Sequence, residues 1–538
     1  MVDISQSGEQ RIFLRKASGL IRTASFLDVF IFNTGLISVG IGIGTMVLYG
    51  PAFYPGASLL WALVGGAAAL AVCTLGFAYW AVSIPRSGGD YVFNSRIWPP
   101  FIAVTASFTN ILTQVFFGAV AAYWVILIGL SPMFSIIGDL SGNPGWTELS
   151  NKILEPTWVF VIGLGILSLS HLILYLGMKI YLLTQKVIFA VAFLGLLVLI
   201  IVLWTGDTEA FKANLNTVYA SVLGVPDVYQ GIIDSAKQEG WGYDGPADFV
   251  TIMKLSNWVM LPFIGAWLSI FIGGEVKQAA TSQMWGMMSA CVAAFLLWLV
   301  TQEGALAAFG YDFIGAADYN FLMGVGVSIN PNIPALAGIM TDSMAITWIG
   351  SIAMIAWIWM WIPGVQTTAI RAMVAWSLDR VAPAAFGHIS PTRHTPSVAI
   401  LISYLFSLVF LACIAFTDYA KTIIIIGVPL TIAWAITLLG GVFYPLYRKH
   451  LFIRSPIANQ KLFGVPAMSV ICLVGTVFMT WAVVNLLIDP VAAGHDPVQL
   501  SIVAAVILAG LIFYFTMKAI RRGQGVDITQ AFKEIPVE

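Results

Sequence analysis

Three glycines at alternate positions, Gly40, Gly42 and Gly44, fall inside the run Phe32-Asn33-Thr34-Gly35-Leu36-Ile37-Ser38-Val39-Gly40-Ile41-Gly42-Ile43-Gly44-Thr45. Each costs a helix interior about 1 kcal/mol relative to alanine. Two readings compete. Small residues let helices pack closely, but packing motifs prefer a spacing of four, and glycines two apart lie on different helix faces. The alternative is an unwound segment that exposes its backbone to a ligand. Met260-Leu261-Pro262-Phe263-Ile264-Gly265-Ala266-Trp267 is a counterpart, because Pro262 cannot donate to a helix ladder and Gly265 lets the chain bend. Such breaks recognise charge without charged side chains. A helix start offers free N–H groups and about +0.5 of an elementary charge to an anion, and a helix end offers carbonyls to a cation.

The elements that position these breaks follow from composition. Of 538 residues, 59% are apolar and 9% charged, and the mean hydropathy is +0.90. A soluble domain carries about 25% charged residues, so this chain's outer surface must face lipid. The net charge of −1 argues against nucleic acid as a partner. The cysteines, Cys73, Cys291, Cys413 and Cys472, lie far apart in apolar stretches and form neither a disulfide framework nor a CxxC pattern. The histidines (His171, His388, His394, His450, His495) are scattered, and HExxH, GxSxG and P-loop patterns are absent. An enzyme is not expected, and neither a metal nor another cofactor. A channel would need a filter motif or charged ring, and neither occurs. The first 22 residues lack the short apolar stretch of a signal peptide.

A hydrocarbon core of about 30 Å needs about 20 helical residues. Twelve stretches qualify, near 25–50, 57–83, 101–130, 157–177, 181–204, 255–273, 284–309, 344–370, 396–417, 421–447, 464–488 and 498–519. Lipid-facing backbone must be satisfied within its own segment, so the fold class expected is an all-α integral membrane protein. With both termini cytoplasmic, 20 Lys and Arg lie on the inner side, among them Arg86, Arg96, Lys186, Arg371 and Arg380. The outer side keeps five: Lys152, Lys212, Lys237, Lys254 and Lys421. That imbalance sets the orientation and supports an even helix count. The division expected is a cytoplasmic segment 1–24, five helices in 25–204, an extracellular loop 205–254, five more in 255–447, two in 464–519 and a cytoplasmic tail 520–538. Interrupted segments at matching places in two halves point to a transporter's midplane site.

Four motifs in this order resemble the amino acid–polyamine–organocation permeases. Gly42-Ile43-Gly44-Thr45-Met46 is similar to their first-helix Gly-Ser-Gly-Ile-Phe, with Ile43 in place of serine. Pro85-Arg86-Ser87-Gly88-Gly89-Asp90-Tyr91 resembles their Pro-x-x-Gly-Gly-x-Tyr loop. Phe263-Ile264-Gly265, then Gly274-Glu275-Val276-Lys277, looks like their sixth helix. Arg371-Ala372-Met373, Asp379-Arg380, Pro383 and Thr395-Pro396 resemble the segment after helix eight. The likeness covers roughly residues 20–450. It implies the LeuT-type fold, a 5+5 inverted repeat plus two C-terminal helices, in a multi-pass protein of the cytoplasmic membrane.

The resemblance also implies amino acid transport by alternating access, with a polyamine or other organic amine as the alternative cargo. The zwitterion's carboxylate is expected at the N–H groups near Gly42, Ile43, Gly44 and Thr45. Its ammonium is expected at carbonyls near Ser38 to Gly40 and Pro262 to Ile264. Wall candidates are Asn110, Gln114, Phe263, Ile264, Gly265, Trp267 and Trp357. Relatives that carry cationic substrates can place an acid where this chain has Trp267, which favours neutral, apolar amino acids here. Thr367 and Thr368 are candidates for an ion-coupling site, or simply bond their own helix. Some relatives carry a lysine in helix five, and that position falls at about Ala192; Lys186 reads as a cytoplasmic anchor. Sodium coupling, proton coupling and exchange stay open. Besides the substrate, membrane lipid is the partner expected. The glycine-rich loop 84–93 and Arg371 to Pro383 are expected near the cytoplasmic gate.

Overall fold

A computed structural model describes residues 20–417, 426–492 and 496–533. The N-terminal basic residues Arg11, Arg15 and Lys16, and also Lys421 and His495, lie outside the described residues.

Among the described residues, twelve helical spans are long and apolar enough to cross a membrane: Phe26–Phe53, Leu59–Ser83, Pro100–Ser141, Pro156–Leu176, Met178–Thr205, Phe249–Phe271, Ala279–Phe309, Met344–Leu378, Ser397–Phe416, Gly427–Tyr447, Ala467–Ile488 and Pro497–Gly523. The protein is an all-α, multi-pass membrane protein, as its composition demands. Local chemistry sets several boundaries. Ser25 and Asp28 form a reciprocal capping box at the first span, and Ser58, Asp248 and Asp496 cap the second, sixth and twelfth. Pro100, Pro156 and Pro497 open their spans at the first helical position, where the missing N–H costs nothing.

Burial ranks the spans. The most apolar window of the first span is 83% buried and that of the third 72%, against 28% for the fifth and 22% for the twelfth. The first and third spans, with the tenth at 67% and the sixth at 65%, therefore sit at the centre, and the fifth and twelfth present their surface to lipid.

The third span extends beyond its expected end near 130. Its last turns, Val125–Leu130, loosen into a π-type coil before the helix resumes over Ser131–Ser141. The long segment before the sixth span folds into two helices, Thr208–Leu223 and Val228–Gln238, each capped by an aspartate. The segment between the seventh and eighth spans contains helices Tyr311–Met323 and Ile333–Met340. Helix Tyr311–Met323 lies along the outer half of the first span, and the Tyr311 hydroxyl bonds the Ala57 carbonyl at 3.2 Å. The only regular β structure among the described residues is a hairpin pairing Lys461–Leu462 with Val465–Pro466.

Candidate functional site

Both expected breaks exist, and the first is displaced from its expected position. Helix Phe26–Ile37 ends at Ser38, whose φ of 48° and ψ of 71° are left-handed, and a second helix runs over Val39–Phe53. Gly42 to Thr45, expected to be unwound, are helical: the Gly42 N–H donates to the Ser38 carbonyl at 3.0 Å. The outer helix therefore begins at Val39. The N–H groups of Val39, Gly40 and Ile41 are the ones without an intrahelical acceptor. Ser38 is held in place by its own N–H on the Gly35 carbonyl at 3.1 Å and its Oγ on the Trp357 carbonyl at 3.2 Å.

The sixth span changes character after Phe263. An α-helix, Phe249–Phe263, with Pro262 in its last turn, gives way to a tighter 3-10 coil over Ile264–Phe271. Gly265 lies against the first break. A Cβ built there falls far inside van der Waals distance of the Leu36 carbonyl and the Ile37 nitrogen. Only a residue without a side chain lets these two backbones cross. A buried network locks the crossing from below. Asn33 donates from Nδ2 to Ser269 Oγ at 2.9 Å and accepts the Ser269 N–H at 3.0 Å. Ser269 Oγ donates to Gln283 Oε1 at 2.6 Å.

Beside the crossing lies a cavity with about 560 Å³ of empty space, its open side included. The first span contributes Ile37 and Ser38 at the break, and Ile41, Thr45 and Tyr49, which fall four residues apart on one face of the outer helix. Phe117 and Trp124 of the third span, Trp258 and Pro262 of the sixth, and Trp361 of the eighth complete the wall. Tyr49 stacks on Trp258 with ring centroids 4.7 Å apart, and Trp124 on Trp361 at 5.9 Å. No lining side chain carries a formal charge. The hydroxyls of Ser38 and Thr45 are directed to the Trp357 and Gly42 carbonyls. The polar groups offered to a ligand are those of the broken backbone, with the Tyr49 hydroxyl and the indole N–H groups of Trp124 and Trp361 in the wall.

Of the residues singled out from sequence, Ser38, Thr45 and Pro262 line this cavity and Gly265 makes the crossing beside it. The others lie elsewhere. Gly42 accommodates the Trp298 ring, which a Cβ would meet at 2.6 Å, and Phe263 stacks on the other side of that ring at 5.4 Å. Gly40 and Ile43 face a second, smaller void with Trp357. Gly44 is loosely surrounded, its nearest neighbour being Met354 Cε at 3.7 Å from a built Cβ. Trp267 stacks on Phe77 at 4.7 Å and meets Trp434 edge-on at 5.2 Å, while Ile264 packs near Leu70 and Thr431. Asn110 donates to Asp90 Oδ2 at 2.9 Å, and Gln114 to Asn110 Oδ1 at 3.3 Å. Thr367 and Thr368 donate to the Pro363 and Val365 carbonyls of their own helix. Ala192 is buried, and Lys186 pairs with Asp28 at 2.8 Å, tying the fifth span to the start of the first. The aromatic wall escaped sequence reading. Its signals are the 41-45-49 spacing and Trp258, one turn before Pro262.

With this geometry in view, comparison with known sequences is decisive: residues 25–513 match the sequence signature of amino acid permeases. The chain belongs to the amino acid permease family of the amino acid–polyamine–organocation superfamily. No curated protein matched the chain as an individual relative.

The permease is sealed on the side where its arginines cluster. The N–H groups of Thr23 and Ala24 bond the Glu275 carbonyl at 2.9 and 3.0 Å, and the Gly88 N–H bonds the Phe271 carbonyl at 3.0 Å. Gly88 and Gly89 have φ of 106° and 55°, and a Cβ on Gly89 would meet the Phe271 ring at 2.6 Å. Two ion pairs, each member nearly inaccessible, clamp this seal. Arg371 holds Glu275 through Nε and Nη2 at 2.9 and 3.2 Å, and Arg96 Nη1 lies 3.0 Å from Asp379 Oδ2. The glycine-rich loop thus meets the end of the eighth span, where a Cβ on Gly88 would collide with Ala375.

On the opposite side, Trp258 Nε1 donates to the Tyr54 hydroxyl at 2.9 Å, and that hydroxyl donates to Asp489 Oδ2. Burial and the neighbouring Asp489 carboxylate keep the Tyr54 phenol protonated, its pKa raised above the ordinary value. This chain joins the outer halves of the first and sixth spans to the end of the eleventh.

Proposed function

We propose that this permease carries neutral amino acids with bulky apolar side chains across the cytoplasmic membrane by alternating access. The arginine-rich side faces the cytoplasm, as do both termini. The observation that supports this is the meeting of two helix breaks beside a cavity lined by aromatic rings and no charged side chain. Burying a zwitterion demands partners for both its charges. The start of the outer helix at Val39 to Ile41 suits the carboxylate, through free N–H groups and the positive end of the helix dipole. The carbonyls that end the inner helix at Leu36 and Ile37, with those near Pro262, suit the ammonium group. The substrate side chain then lies against Tyr49, Trp124, Trp258 and Trp361, which offer area and no charge.

Spans one to five and six to ten form the inverted repeats in this reading, rocking about the crossing at Gly265. The aromatic wall favours one alternative cargo, a monovalent organic amine, through cation–π attraction. A polyamine is disfavoured because nothing in the lining complements a second ammonium.

Uptake into proteoliposomes of labelled neutral amino acids, cationic amino acids and amines tests the assignment. We expect saturable uptake of large neutral amino acids, weakened by Trp258→Ala. Uptake of amines with no neutral amino acid among the substrates would sink it.

A further inference from the structure

Four buried acids among the described residues lie about the seal on the arginine-rich side, and one differs from the rest. Asp28 is held by Lys186. Glu275 is held by Arg371, and Asp379 by Arg96. Asp90, directly after the Gly88-Gly89 turn, is wholly inaccessible and has no cationic partner among the described residues. Its Oδ2 accepts a single amide hydrogen from Asn110, and its Oδ1 has no hydrogen-bond partner among the described residues. Two arginines thus lie near and are taken by Glu275 and Asp379. An ionised carboxylate in that position would be desolvated with hydrogen bonds but no cation to compensate it, so burial favours the neutral acid.

Resting on the transporter reading above, we propose that Asp90 is a proton-binding site, loaded in the sealed state and emptied when the seal opens, through which substrate movement is coupled to a proton gradient. Its placement fits that role. The turn before it is wedged between Phe271 of the sixth span and Ala375 of the eighth, with no room for a single Cβ at Gly88 or Gly89. Any separation of those spans draws the turn, and Asp90 with it, into water. The carboxyl then ionises and its proton leaves to that side.

Inward from Asp90, the amides of Asn110 and Gln114 climb the third span by one helical turn, ending three residues before Phe117 of the cavity wall. The acid is therefore hydrogen-bonded to the helix that carries Phe117 of the cavity wall. The ionisable groups on the elements packed around Asp90 include Tyr91 and Arg96 on its own helix, Arg371 and Asp379 from the eighth span, Tyr444, Tyr447 and Arg448 at the end of the tenth, and Asp527 before the C-terminal turn Ile528–Lys533. The third span offers only amides and hydroxyls at this level. Burial pushes the carboxyl up to about 7, opposed by hydrogen bonds from Asn110 and from the backbone of Tyr91 and of Asp90 itself. A group in that range exchanges its proton across the physiological interval.

The test uses the full chain in proteoliposomes with a pH-sensitive dye inside and a large neutral amino acid as substrate. For the wild-type protein we expect internal acidification with uptake, and accumulation rising up to about tenfold per pH unit of gradient. Asp90→Asn should retain amino acid exchange across equal concentrations while losing both acidification and gradient-driven accumulation. Infrared titration of the purified protein gives a readout independent of substrate. A protonated-carboxyl band that titrates near neutral pH and vanishes in Asp90→Asn supports the site. Its absence from the wild-type protein, or proton flux that survives in Asp90→Asn, overturns it. Exchange of no amino acid by the wild-type protein would refute the substrate reading, and the infrared result would still decide Asp90.

Discussion

At Gly265 one methyl group would collide with main chain, and main chain at a helix end cannot step aside. Gly44 sits just across the same break with room to spare. Alanine at these two positions therefore separates contact from composition. Gly265→Ala forces the first and sixth spans apart, at the upper end of the 1–3 kcal/mol typical of overpacking. We expect uptake to fall by about tenfold or more. Gly44→Ala should leave uptake within about twofold, since its nearest neighbour is a flexible methionine at 3.7 Å and alanine suits a helix. Rates measured at equal protein in the membrane check both. The sequence marked both glycines as unusual. Which of them faces backbone, a tryptophan ring or open space depends on neighbours tens to hundreds of residues away, and no local pattern encodes that.

At the scale of elements, the spans were legible because lipid imposes length and apolarity, and the second break was legible because proline has no N–H. The first break was harder. Its position is set by Ser38, which turns left-handed while its hydroxyl reaches the eighth span, and a serine carries no local signal for that conformation. The latch formed by Trp258, Tyr54 and Asp489 is likewise invisible in sequence, since it joins residues 204 and 435 positions apart. It fixes the ring that stacks on Tyr49 in the cavity wall. Tyr54→Phe removes the hydroxyl that accepts from Trp258 and donates to Asp489. At about 1 kcal/mol per buried hydrogen bond, half-saturation for uptake should rise roughly fivefold, with the maximal rate largely kept. Equal losses in both parameters would mean that the latch supports folding rather than the shape of the cavity.

The inner clamp gives a contrasting case. Removing one member of Arg371–Glu275 strands a buried charge, a loss of about 3–5 kcal/mol, whereas replacing both with apolar residues is far milder. We expect Glu275→Leu to lower the melting temperature in detergent much more than the pair Glu275→Leu with Arg371→Met. Additive losses would show that the two side chains do not act as a pair.

For the molecule as a whole, burial falls from the central spans to the peripheral ones, so the charge-bearing machinery lies where water is scarce. That arrangement makes stability sensitive to pH through Asp90. The ordinary carboxyl value is 3.8, and burial raises it to about 7 in the sealed fold. The folded state therefore binds a proton that the unfolded chain releases above pH 4. The contribution of the neutral acid is complete below the ordinary value. It is lost progressively as pH rises, at roughly 1.4 kcal/mol per unit, until the folded protein itself ionises near 7. Asp90→Asn mimics the neutral acid at every pH and should lack this slope. The melting temperature of wild type relative to Asp90→Asn should thus decline from pH 5 to about 7 and level off above it. The arginine-paired acids Glu275 and Asp379 are common to both proteins and cancel in that difference. A flat difference across the interval would mean that Asp90 is charged and compensated in the sealed fold, and the seal would then carry no proton.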